Sequence, residues 1–236
     1  MNAPNDNTWE DYNVILEARF NTAKEFFNNQ NTIISELIDK FQRYNLQNIT
    51  NISMHTNEMP GVSLSLNPNR FGLTFEKEYS QEYITKYINF TYTIIKKYIH
   101  IKEFNRIGLR IQTIKNIGLE KARDKINSYI NTDKIKKEFS LDASSLTMLL
   151  NYDDYKIRAA YDASKVISNQ PIISNQPIMN NSQINLNINI SDLNKNAKAG
   201  ISGDIDFYKT NVDGVNIDKF IKDAYEGIIT CKQLMD

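Results

Sequence analysis

Cysteine, proline and glycine are scarce in this chain: one, five and eight among 236 residues. A lone cysteine, Cys231, has no partner for an intramolecular disulfide. The few glycines form neither a Walker loop nor Gly-x-Gly-x-x-Gly, so kinase and dinucleotide-dehydrogenase readings lack the backbone that cradles phosphate. No Gly-x-Ser-x-Gly elbow supports a hydrolase. The two histidines, His55 and His100, stand apart from each other and from Cys231, which leaves no zinc-ligand spacing. Charge of one sign is not in excess either: 28 Lys+Arg meet 28 Asp+Glu, for a net charge of +0. A dedicated nucleic-acid binder usually carries a basic surplus or stripe. No apolar run approaches the ~20 residues of a membrane span. The opening residues, Met1 to Asp11, lack the apolar core of a secretion signal. The expectation is a cytoplasmic protein with no membrane association and no cofactor.

What is present fits a folded domain, with 41% hydrophobic and 24% charged residues. Asparagine takes about one position in eight, against about one in twenty-five in an average protein. AT-rich codons account for such an excess together with the abundant isoleucine. Surface asparagines, including the glycosylation-like Asn48, Asn51, Asn89 and Asn189, therefore carry little functional weight.

Apolar spacing sets the order of elements. Tyr12 to Phe20 alternates as a strand. Thr22 and Glu25 form a capping-box pattern before a helix with Phe26, Ile33, Ile34, Leu37, Ile38, Phe41 and Tyr44 on one stripe. Strands follow at Asn48 to Thr56, Val62 to Leu66 and Phe71 to Phe75, the last two joined by an Asn67-Pro68-Asn69-Arg70 turn. Ser80 caps a tyrosine-rich helix carrying Tyr83, Ile84, Tyr87, Ile88, Ile94, Ile95 and Tyr98. The strand Arg106 to Ile114 comes next, and after Gly118 a short helix from Leu119 to Ile130. This order predicts a ferredoxin-like, split βαβ half with an extra hairpin over residues 1–131.

Residues 132–236 predict a strand-rich half. Leu146 to Leu150 and Tyr155 to Tyr161 suggest a hairpin about Asp153-Asp154. The loop at 164–184 holds a tandem repeat, Ile167-Ser-Asn-Gln-Pro-Ile followed at once by Ile173-Ser-Asn-Gln-Pro-Ile, which is read as surface filler. Asn185 to Ile190 and Gly203 to Tyr208 alternate as strands. An amphipathic helix closes the chain with Ile217, Phe220, Ile221, Ala224, Ile228, Cys231 and Leu234 inward. The fold class is α+β.

The Arg106 to Ile114 strand is the least ordinary stretch. Ile107, Leu109 and Ile111 occupy one face, and Arg106, Arg110 and Gln112 the other. Two arginines on a central strand need partners if they are desolvated. Asp204 and Asp206 share one face of their own strand, and Glu17 lies on the opening strand. Bidentate Arg–carboxylate pairs between these residues would tie the halves together. Left open, Arg106, Arg110, Asp204 and Asp206 would instead line a binding cleft. Asp204-x-Asp206 alone is short of a metal site, since a third oxygen ligand is missing. Phe71, Phe75, Tyr79, Tyr83 and Tyr87 form an aromatic group that is either core or a platform for single-stranded bases.

Arg106-Ile107-Gly108-Leu109-Arg110, set behind a tyrosine-rich helix, resembles the mid-chain Arg-(Ile/Val)-Gly-Leu-Arg-Tyr-(Ile/Val)-Asn of a sporadically distributed bacterial family of unknown function. Gly203-Asp204-Ile205-Asp206-Phe207-Tyr208, before a closing helix, resembles that family's late Leu-Asp-Ile-Asp-(Val/Phe)-(Tyr/Phe) strand. Ile111 and Thr113 depart from its Tyr and Asn. The resemblance supplies no reaction; the family's patchy distribution implies mobile-element or antiphage defence loci. The resulting expectation is a non-catalytic protein that acts by binding a protein partner, as an accessory or immunity component of such a locus. Homodimerisation through an open sheet edge is a second expected association. The alternative is a module for a small ligand, nucleotide or single-stranded nucleic acid in an Arg-lined cleft between the halves.

Overall fold

The computed structural model describes residues 8–48, 50–57, 60–76, 79–129, 145–167 and 197–236. The order is β1 (Trp9–Phe20), α1 (Glu25–Leu37), β2 (Arg43–Asn48), β3 (Asn51–His55), β4 (Val62–Asn67), β5 (Arg70–Phe75), α2 (Gln81–Tyr98), β6 (Glu103–Lys115), α3 (Leu119–Tyr129), β7 (Ser145–Tyr152), β8 (Tyr155–Ile167), β9 (Ala197–Asp213) and α4 (Ile217–Leu234). The architecture is α+β, with a closing helix. The nine strands among the described residues join one antiparallel sheet in the order β2-β3-β4-β5-β1-β6-β9-β8-β7. The segments 1–131 and 132–236 meet inside that sheet, where β6 pairs with β9 from Glu103↔Asp213 to Lys115↔Ile201. The tandem repeat beyond Ile167 and the expected strand Asn185 to Ile190 fall outside the described residues.

Side-chain alternation gives the sheet two unlike faces. One row of Cα partners runs Val62, Phe75, Val14, Ile111, Ile205, Ala159, and every member is buried. These side chains share a single core with Phe26 and Leu37 of α1, Ile88 and Ile95 of α2, Ala122 of α3, and Phe220 and Ile228 of α4. The four described helices therefore cover the same face. The next row on the other face runs Thr74, Ile15, Arg110, Asp206, Arg158, Leu149, and none of its members is fully buried.

Local signals set the starts of three helices. Ser80 caps α2 by accepting from the Tyr83 N–H at 3.3 Å, and Asn216 caps α4 by accepting from the Lys219 N–H at 3.1 Å. Gly118, at φ +84°, makes the left-handed turn into α3 that a side chain would strain. The start and end of α1 correct the sequence expectation. Lys24 precedes α1 without a side-chain capping bond, so Thr22 and Glu25 form no capping box. The Phe20 and Ala23 N–H groups bond instead to Asn69 and Pro68 carbonyls in the β4–β5 turn, at 2.9 and 2.8 Å, which holds this segment on the hairpin. The helix stops at Leu37, and Tyr44 lies half-exposed on β2. Phe41 reaches the core from the intervening turn, so its burial mimics helical spacing without helical backbone.

Candidate functional site

On the face that no described helix covers, three arginines from three strands stand side by side: Arg70 opposite Arg19, and Arg19 opposite Arg106. Like charges in one row repel and destabilise a sheet. Glu17, two residues along β1 on the same face, answers all three. Its carboxylate oxygens lie 2.8 Å from Arg19, 3.3 Å from Arg70 and 3.3 Å from Arg106. Burial alone would push this carboxyl's pKa up. The hydrogen bond from Arg19 and the charges of Arg19, Arg106 and Arg70 overcome that and hold it below the usual glutamate range.

Arg106 also reaches diagonally across β9. Its Nη2 donates to both oxygens of Asp206, at 2.7 and 2.6 Å, and the guanidinium lies 4.8 Å from the Tyr208 ring centroid. Gly108 makes this path available: a Cβ there would stand 2.9 Å from Arg106 Nη1. The glycine in Ile107-Gly108-Leu109 is thus a seat for the preceding arginine rather than a turn. One residue pair further along, Arg110 holds Asp204 in a fork, with Nε and Nη2 each 2.5 Å from a carboxylate oxygen. That hydrogen bond raises the Arg110 pKa. Tyr12 lies beside this fork, its phenol pushed up first by burial and then by the Asp204 charge.

The structure therefore brings Arg106, Arg110, Asp204 and Asp206 together, with Glu17 as a fifth member. Each aspartate meets an arginine. Among the described residues, no three His, Cys, Asp or Glu side chains gather to hold a metal. Sequence parity identifies Glu17, Asp204 and Asp206 as partners because it fixes the face. It puts Arg19 on the face of Glu17 and Tyr208 on that of Asp206, but misses Arg70 and the approach of Tyr208 to Arg106, which depend on strand order and diagonal reach. It misses Arg158 as well, an exposed residue opposite Asp206 with no ion-pair partner among the described residues.

The other candidates are occupied by packing. Cys231 is 1% exposed, and burial pushes its thiol up to about 11, which leaves little thiolate for nucleophilic chemistry. Phe71, Phe75 and Tyr87 are buried on the helix side. Tyr79 stacks on Tyr83 at 5.4 Å, and Tyr83 approaches Tyr87 at 4.8 Å, so the aromatic ladder extends the core around α2. Bases stacking on the open sheet face would not meet it. A cavity of about 710 Å³ lies elsewhere, between the end of β6 and α3, and is lined by Lys115, Lys121, Lys125 and Asp236 among others. Lys115 spends its charge there on Asp236, at 2.8 Å. No helix is long and apolar enough to cross a membrane among the described residues. Comparison with known protein families finds no matching family model, and comparison with characterised proteins finds no matching sequence.

Proposed function

We propose that this chain is a non-catalytic module that binds a protein partner across the uncovered face of its sheet. The observation that carries this reading is the closure of Arg106 and Arg110 on Asp206, Asp204 and Glu17. A small-ligand cleft needs convergent, unspent polar groups in a concavity. Here the guanidinium groups are engaged, and what remains is a broad, ion-paired surface suited to another protein. On the central strands and β8 of that face, Arg19, Arg70, Arg106, Arg110, Lys156 and Arg158 outnumber Glu17, Asp162, Asp204 and Asp206, so the partner's matching surface is acidic. We further infer a split βαβ, ferredoxin-like first half. Its support is the strand order β4-β5-β1-β6, with α1 between β1 and β4 and α2 between β5 and β6. We further propose that the partner belongs to a mobile-element or antiphage defence locus, a reading that rests on the resemblance to the sporadic bacterial family.

The test uses the full chain, tagged and recovered from its native cells, beside an Arg158→Ala variant. Arg158 carries no described ion pair, so the fold should stand unchanged. The expected result is one protein retained in stoichiometric amount by the parent chain and at least tenfold less by the variant. Retention of single-stranded oligonucleotide or nucleotide instead, weakened by the same substitution, would establish the alternative reading and remove this one.

A further inference from the structure

The two edges of the sheet are defended very differently. β2 is short, carries Arg43, and has a register irregularity between Leu46 and Asn48. Charge and irregular pairing are standard protections against edge-to-edge association. β7 has neither. Its eight residues, Ser-Leu-Thr-Met-Leu-Leu-Asn-Tyr, contain no charge and no proline. They pair with β8 without a register shift, from Ser145↔Asp162 to Tyr152↔Tyr155. Among the described residues no strand pairs with its outer side. Leu149 on the open face is 77% exposed. On the helix side, Leu146, Met148, Leu150 and Tyr152 pack against the core but stay only partly buried.

We propose that β7 is a self-association edge, at which a second copy of this chain adds its own β7 antiparallel about a two-fold axis. The strand's chemistry selects a copy of itself. With Leu149 opposite its counterpart, the two-fold sets Met148 against Leu150 and Leu146 against Tyr152 on the helix side. On the open side it sets Thr147 against Asn151. All four half-buried apolar side chains gain an apolar neighbour, and no charge of either strand is opposed. A shift of one residue would turn the helix-side leucines of one copy toward the polar face of the other, which rules that register out, and the register centred on Leu149 is the one that gives all four helix-side residues an apolar neighbour. Such a contact is isologous and closes at two copies. It also satisfies the backbone groups along the outer side of β7. The pairing stands independently of the open-face reading, because it uses the edge rather than the arginine row.

A light-scattering concentration series on the full chain tests the edge directly. The apparent mass is expected to rise from 27.3 kDa toward twice that value between about 1 and 300 μM, as befits a small interface. Thr147→Lys with Leu149→Lys, both at exposed positions, should keep the chain monomeric throughout with the parent's circular-dichroism spectrum, and with a melting temperature lowered only slightly by the like charge set opposite Arg158. Leu149→Cys should cross-link to its counterpart under mild copper-phenanthroline oxidation, since directly opposed residues bring Cα atoms within disulfide range. Native Cys231 is too buried to compete, and Leu46→Cys on β2 should remain uncross-linked. A chain that stays monomeric at every concentration, a dimer that survives both lysines, or equal cross-linking from Leu46→Cys overturns the proposal.

Discussion

Leu109 and Arg110 are adjacent on β6, yet they depend on different physics. Leu109 is fully buried beneath the helical layer, in a core that draws buried residues from the four described helices and from β1, β3, β4, β5, β6, β8 and β9. Arg110 stands on the opposite face with 44% of its side chain exposed, held by a single fork to Asp204. The helix-covered face gains stability from apolar area removed from water, at roughly 25 cal/mol per Å². The open face carries charge-assisted hydrogen bonds that solvent partly screens. Folding energy therefore concentrates on one side of the sheet, and the charged side is the one across which we propose a partner binds. Arg106 sits between the two regimes: it is on the open face but only 20% exposed, between two carboxylates and an aromatic ring.

The largest effect should come from the covered face. Phe207 is fully buried, 4.6 Å from the Tyr155 ring and 5.9 Å from the Phe220 ring. Phe207→Ala is expected to cost about 3–5 kcal/mol, read as a fall in the urea midpoint. Gly227→Ala probes the same contact from α4, because its new Cβ would stand 2.8 Å from Phe207 Cε2. Overpacking there should cost about 1–3 kcal/mol. A change under 0.5 kcal/mol at both positions would contradict the claim that this face dominates stability.

The open face should respond more weakly and unevenly. Arg106→Ala strips Asp206 of both hydrogen bonds and Glu17 of one, in a partly desolvated setting, with an expected cost of about 1.5–3 kcal/mol. Arg110→Ala breaks a fork of better geometry but greater exposure, and should cost under about 1 kcal/mol. A double-mutant cycle of Arg106 with Asp206 against one of Arg110 with Asp204 measures the difference. Equal coupling energies in the two cycles would show that exposure does not set the value of these pairs.

The two faces also differ in how far sequence alone reveals them. Period two in Arg106 to Ile114 assigns every side chain of that stretch to its face, and the alternation in Gly203 to Tyr208 does the same for Asp204 and Asp206. Parity therefore suffices to name these aspartates and Glu17 as candidate partners of the arginines. It cannot give strand order, so the row of Arg70, Arg19 and Arg106 is invisible until β5, β1 and β6 are laid side by side. Nor does it show diagonal reach: Arg106 passes over Gly108 to Asp206, although its Cα partner on β9 is Thr210. β2 escapes notice because Tyr44 and Phe41 continue the spacing of α1, while the backbone has already turned at Ile38. The capping-box pattern at Thr22 misleads because long-range backbone bonds to Pro68 and Asn69 take precedence over a local cap.

Acid offers the smallest and most selective way to separate the faces. Glu17 titrates below the usual range in the folded chain, because the arginine contacts outweigh its burial. Its unfolded value is about 4.3. A group depressed by folding contributes stability that is fully present above the unfolded pKa and fades as pH falls through the folded one. Asp236, lowered chiefly by its hydrogen bond from Lys115, follows the same sign but is half-exposed and more screened. Melting temperature should thus be flat from about pH 7 to 5 and decline below about pH 4 as Glu17 releases Arg19, Arg70 and Arg106. Glu17→Gln should lower the plateau and flatten that decline, so the gap between the two proteins narrows toward pH 2.5. Phe207→Ala should lower the whole curve without changing its acid slope. A gap between parent and Glu17→Gln that stays constant across this range would mean that Glu17 acts through packing. The arginine row would then owe its order to the strands beneath it rather than to the carboxylate at its centre.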